Sequence, residues 1–123
     1  MINSGALTPI LISENKELEL ILASESQSTL TDSETNENDG TIYLQSGASL
    51  VISGNGILNI NPKKLIAING TDGTSLTVND GAIINIISTL SNIGGIYLRN
   101  SISFNNALFT YDCVNGEMEQ IMY

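Results

Sequence analysis

Gly40-Thr41-Ile42-Tyr43-Leu44-Gln45-Ser46-Gly47-Ala48-Ser49-Leu50-Val51-Ile52-Ser53-Gly54-Asn55-Gly56-Ile57-Leu58-Asn59-Ile60 is the stretch whose reading decides the fold. It holds three short apolar runs, Ile42-Tyr43-Leu44, Leu50-Val51-Ile52 and Leu58-Asn59-Ile60, parted by Ser, Gly and Asn. The same three-run unit returns as Ile66-Ala67-Ile68, Leu76-Thr77-Val78 and Ile84-Asn85-Ile86. It returns again as Ile96-Tyr97-Leu98, Ile102-Ser103-Phe104 and Leu108-Phe109-Thr110-Tyr111, with first runs starting 24 and 30 residues apart. Self-similarity at such a period marks a solenoid. Each run is too short for a helix and alternates with period two, so the flanking aliphatics point inward and the middle residue outward.

The segments between runs, such as Ser53-Gly54-Asn55-Gly56, Asn69-Gly70-Thr71-Asp72-Gly73 and Asn79-Asp80-Gly81, are rich in residues that accept a positive φ and make tight corners. Three strands and three corners per turn, with equivalent strands stacked about 4.8 Å apart, make a parallel β-helix. An antiparallel sandwich is the alternative. It is disfavoured because each run matches the run three places away better than its immediate neighbour. The expected inward columns are Ile42/Leu44 with Ile66/Ile68 and Ile96/Leu98, then Leu50/Ile52 with Leu76/Val78 and Ile102/Phe104. Leu58/Ile60 with Ile84/Ile86 form the third. Upstream, Pro9-Ile10-Leu11-Ile12, Leu18-Glu19-Leu20-Ile21-Leu22 and Thr29-Leu30-Thr31 read as an earlier coil of weaker pattern. The fold class is therefore all-β: a single-stranded parallel β-helix of about four coils of three short strands, one domain over residues 1–123.

Residues 1–8 carry no element signal. Solenoids need capped ends, so an uncapped first coil predicts either truncation or a homo-oligomer joined through the coil edges. Met1-Ile2-Asn3-Ser4-Gly5 lacks the basic start and long apolar run of a signal peptide, and no stretch is long and apolar enough to insert in a membrane. The expectation is a fragment of a longer secreted or cell-surface protein. The run from Thr31 to Gly40 reads as an acidic loop protruding into solvent, or alternatively as a cation site. Residues 87–94 read as an insert that folds back over the coil through Ile87, Leu90 and Ile93. Residues 116–123 read as a last strand or a cap.

The 123 residues carry a formal net charge of −9, from 4 Lys and Arg against 13 Asp and Glu. That argues against nucleic acid or an anionic membrane surface as a partner on bulk electrostatics. The chain has no His, which excludes His-based catalysis and His ligation, and its single cysteine, Cys113, has no internal partner for a disulfide. The outward positions, Tyr43, Ala67 and Tyr97, then Val51, Thr77 and Ser103, then Asn59 and Asn85, supply no paired acid and base. No catalytic residue is assigned, and a sugar lyase or hydrolase is the weakest reading.

Tyr43 and Tyr97 would stand two coils apart, roughly 10 Å, with small Ala67 between them. Two rings on a flat sheet make a stacking platform for sugars, or else shield the sheet. Asn59 and Asn85, on adjacent rungs, read either as a hydrogen-bonded ladder or as ligand contacts. The corners holding Asp72, Asn79 and Asp80 could offer oxygens to calcium, or simply form Asx turns.

Leu20-Ile21-Leu22-Ala23-Ser24-Glu25-Ser26-Gln27-Ser28-Thr29-Leu30-Thr31-Asp32 resembles the L-x-L-A-x-x-x-x-N-T-L-T-D segment of carbohydrate-binding β-helix domains of secreted bacterial proteins. Thr41-Ile42-Tyr43, then Leu50 to Ile60, then Leu76 to Ile86 resemble the segments that follow in that family. The likeness covers about residues 9–86. It implies a right-handed parallel β-helix that binds polysaccharide without cleaving it, acidic plant polysaccharide such as pectin included, with calcium sites. Tyr43, Tyr97, Asn59 and Asn85 are then the candidate carbohydrate contacts, and Asp72, Asn79 and Asp80 the candidate calcium ligands. The competing reading is a structural or adhesive β-helix that assembles with its own copies.

Overall fold

The computed structural model describes residues 2–3, 8–63, 66–88 and 94–113. The strands are β1 (Ile2–Asn3), β2 (Ile10–Ile12), β3 (Glu17–Ile21), β4 (Gln27–Thr31), β5 (Ile42–Leu44) and β6 (Ser49–Ser53). They continue with β7 (Ile57–Asn61), β8 (Ile66–Asn79), β9 (Ile83–Ser88), β10 (Gly94–Asn105) and β11 (Leu108–Cys113). No helix occurs among the described residues, so none there is long and apolar enough to cross a membrane.

Every strand pairing is parallel and joins strands that are equivalent in successive repeats. The chain is thus a β-solenoid of about three turns, and not an antiparallel sandwich. One sheet runs in the order β1-β4-β7-β9-β11; the other combines the first two faces, because β8 and β10 each pass through a corner without losing the ladder. That continuity was not expected from the Gly-rich corner at residues 69–73. It carries register shifts between Tyr97 and Arg99 and between Arg99 and Ser101.

The alternation of the runs explains the core. Leu50, Ile52, Leu76 and Val78 are fully buried and aligned, as are Leu58, Ile60, Ile84 and Ile86. Ile102 and Phe104 extend the first of these columns, Phe109 and Tyr111 the second, each partly buried. Each buried Leu or Ile contributes on the order of 1.5–3 kcal/mol, and stacking alike on alike lets one shape fill every layer.

The first face departs from expectation by two residues. Ile42 pairs with Ile68 and Leu44 with Gly70, while Ile96 also pairs with Ile68. The inward pair is therefore Ile68/Gly70 in place of Ile66/Ile68. A two-residue slip keeps every side chain on its face, so alternation alone could not detect it. Gly70 decides the register. A Cβ there would lie 2.5 Å from Thr74 Oγ1 and 2.7 Å from Leu98 Cδ2, so the next rung's leucine occupies the space that a side chain would need.

Corners stack too. Asn15, Gly47 and Gly73 hold positive φ (58°, 75° and 76°) in successive turns of one corner, where Asn15 N donates to Ser46 O and Gly47 N to Asp72 O. Two further expectations are corrected. Residues 1–8 contain β1, which pairs with β4 through Ile2 and Leu30, so the first coil has a strand before it on this face. The acidic run does not simply protrude: Asp32 and Asn36 are each only 2% exposed. The Asn36 amide donates to Asp32 Oδ1 (2.9 Å) and to Gly40 O (3.0 Å) and accepts from Thr8 Oγ1 (2.8 Å) and Asn38 N (3.0 Å). One saturated amide draws the loop inward and leaves Glu34, Glu37 and Asp39 on its outer side. Ile87 continues β9 outward, while Leu90, Ile93 and residues 116–123 lie outside the described residues.

Candidate functional site

The first face presents a straight outward column. Leu11 pairs with Tyr43, Tyr43 with Asn69, and Tyr97 with Asn69. Tyr43 and Tyr97 thus stand two rungs apart, roughly 10 Å, as their alternation predicted. The residue between them is Asn69; Ala67, expected outward, is fully buried. The slip puts Asn69 on the rung between the tyrosines, while the burial of Ala67 beside buried Ile68 is a separate break in the alternation. The chemistry changes, since an amide now lies between two aromatic rings. Leu11, 47% exposed, extends the stripe by one apolar side chain. It was legible in the sequence as the middle residue of Ile10-Leu11-Ile12.

The polar groups beside the stripe are held in place. Asn69 Nδ2 donates to Asp39 O at 3.1 Å, which leaves Oδ1 to accept from a hydroxyl. The Arg99 guanidinium carbon lies 5.4 Å from the Tyr97 ring centroid, a cation–π distance. Its Nη1 is 3.7 Å from Asp72 Oδ1, where the side chains are 53% and 90% exposed. A pair so open to solvent adds little stability, but it steers the guanidinium toward the ring. Rings that offer apolar faces, an amide oxygen and guanidinium N–H donors are the set that grips the C–H faces and hydroxyls of a pyranose.

Asn59 and Asn85 lie on the other sheet, away from the tyrosines. They form the ladder that the sequence suggested. Asn85 Nδ2 donates to Asn59 Oδ1 (3.0 Å) and Asn59 Nδ2 to Gln27 Oε1 (3.2 Å), while Thr110 Oγ1 donates to Asn85 Oδ1. Much of their hydrogen-bonding capacity is thereby used within the protein.

The structure does not bring Asp72 together with Asn79 and Asp80. Asp72 sits in the corner before the second half of β8, and Asn79–Asp80 in the corner after it. The strand from Thr74 to Asn79 separates them by about 17 Å. Calcium takes six to eight oxygens. Asp72 faces Arg99, Asp80 brings one carboxylate, and no group of three or more acidic, His or Cys side chains suited to a metal occurs among the described residues. Each corner thus brings a single carboxylate among the described residues. Glu17 and Glu19, missed in the sequence, both project outward from β3 onto open sheet, where Ser49 Oγ donates to Glu17 Oε1 at 3.3 Å.

No curated protein and no solved structure matches the chain. A family model does, over residues 1–116, and it spans the aromatic column, both sheets and every described corner. The chain belongs to the family described as carbohydrate-binding domain-containing proteins.

Proposed function

We propose that the chain is a non-catalytic polysaccharide-binding module that lays a glycan along the first face, over Leu11, Tyr43, Asn69 and Tyr97. The observation that carries this reading is the register that lines up two tyrosines about an outward amide. The ladder is straight, so an extended glycan running parallel to the solenoid axis meets one ring, then the amide, then the second ring. Rigid sheet positions cost little ordering entropy on binding. Binding without cleavage is supported by the separation of Asp72 from Asp80. About 17 Å along a strand far exceeds the roughly 5–9.5 Å between the carboxyl groups of glycosidases. Arg99 is the one cation placed on the stripe among the described residues, and it already has Asp72 as a neighbour. With a net charge of −9 around it, the stripe suits uncharged glycans better than pectin. The same reading makes the domain part of a secreted or cell-surface protein, the setting in which polysaccharide is met.

Affinity electrophoresis through gels containing cellulose derivatives, xylan, mannan or polygalacturonate tests the proposal. Retardation by at least one neutral polysaccharide, undiminished by EDTA, is the expected result. Unaltered migration in every gel would refute it.

The competing reading, a self-assembling structural β-helix, has one observation in its favour. β3 has β6 as its one described partner, and Ile21 at its end is 67% exposed. An open parallel edge recruits another strand.

A further inference from the structure

The outer surface of the other sheet carries a feature that the first-face stripe does not use. An open hollow of about 300 Å³ is lined by Thr29, Asn59, Ile60, Asn61, Ile87 and Ser88. Thr29 and Asn59 face outward on neighbouring rungs of β4 and β7. Asn61 lies two residues on from Asn59, and the β7–β9 register carries it alongside Ile87. Ile60 is buried beneath them as the floor, and Ser88, also buried, donates from its Oγ to Pro62 O at 3.2 Å. The volume lies at the lower end of the roughly 300–1,000 Å³ of small-molecule sites.

The lining has a definite chemistry. Ile87 is 46% exposed where the alternation of β9 calls for a polar residue. The Asn59 amide is locked, donating to Gln27 and accepting from Asn85, with its second N–H left over. No described side-chain bond engages the Thr29 hydroxyl or the Asn61 amide. Together they offer donors and acceptors in close pairs, as vicinal hydroxyls require, beside an apolar side chain that can meet a ring's C–H face. None of the six residues is titratable. The nearest charge in the column of Ile87 is Asp112, its partner on β11, which is exposed and repels anions.

We propose that this hollow is a second glycan subsite, on a different sheet from the tyrosines, that takes one uncharged pyranose ring. Ile87 packs on the ring's apolar face, while Thr29, Asn59 and Asn61 bond its hydroxyls. Asp112 and the absence of any lining cation disfavour uronate and phosphate groups. The inference rests on the carbohydrate-binding reading of the chain but not on the first-face stripe. With both sites filled, one domain bridges two glycan chains.

The test is titration of the ¹⁵N-labelled protein with cellohexaose, xylohexaose and mannohexaose, and with trigalacturonate as the charged comparison, read at the side-chain amides of Asn59, Asn61 and Asn69. The expected result is movement of Asn59 and Asn61 with at least one neutral oligosaccharide, unchanged in Tyr97→Ala. In Ile87→Glu or the isosteric Asn61→Asp the affinity at this site falls about tenfold or more. Both positions face outward, and an unchanged pattern of core amide shifts verifies the fold. Movement confined to Asn69 would overturn the second subsite and leave the first-face reading standing. No movement at either face would overturn both. Equal response to trigalacturonate would overturn the preference for uncharged rings.

Discussion

Gly70 holds the first-face register by having no side chain. Leu98 and Thr74 occupy the place a Cβ would take, at 2.7 and 2.5 Å. Gly70→Ala must push one of them aside, and overpacking of this kind costs about 1–3 kcal/mol; a denaturant titration should show a lowered midpoint with an unchanged slope. Glu25 is the opposite case. It holds φ at 61° in a corner, a conformation that disfavours a residue with a Cβ, while its side chain is exposed and its N–H donates to Asn55 O. Glu25→Gly is expected to raise stability by about 0.5–1 kcal/mol, the balance of relieved strain against added chain entropy. A fall in stability would mean that the glutamate side chain does something the corner needs. The tyrosines were legible as outward residues because alternation fixes the face. Asn69 was not legible as their neighbour, because an inward glycine looks like a corner.

Among the elements, the paired columns of β6 to β9 could be read directly, since two aliphatics around one outward residue leave few alternatives. β1 could not. Two residues show no period, and only their pairing to β4 makes them a strand. The hollow on the other sheet escaped for a related reason. Ile87 breaks the alternation of β9, so in the sequence it joined the insert after it and not the strand that displays it. The acidic loop escaped because its charges hide what Asn36 does. Asn36→Ala would strip partners from Asp32 Oδ1 and Gly40 O, both buried, at a cost of about 2–4 kcal/mol. Thermal melting should then fall well below that of Glu37→Ala, which removes only an exposed side chain. Equal melting of the two variants would show that the loop is held by other means.

Among the described residues, the strands at the two ends of the sheets have a partner on one side only, β2 and β3 at one end and β10 and β11 at the other. β1 extends only the sheet of the third face. A chain of net charge −9 repels its copies. Raising ionic strength from about 0.01 to 1 M shortens the screening length from about 30 to 3 Å. If the open edges recruit a second copy, light scattering should show mass rising with salt, and a lysine at Ile21, on the exposed end of β3, should suppress it. Constant monomer mass across the series would leave the structural reading without support.

The measurement that bears most directly on the glycan platform is isothermal titration of one neutral oligosaccharide, chosen from the gels, into the wild-type chain, Tyr43→Ala, Tyr97→Ala and the double variant. Each ring supplies part of one continuous stripe on rigid sheet. Each single change is therefore expected to weaken binding by about tenfold, and the double change by more than either, with thermal stability nearly unaltered because both side chains face outward. Wild-type affinity in the double variant would contradict a binding stripe on the first face.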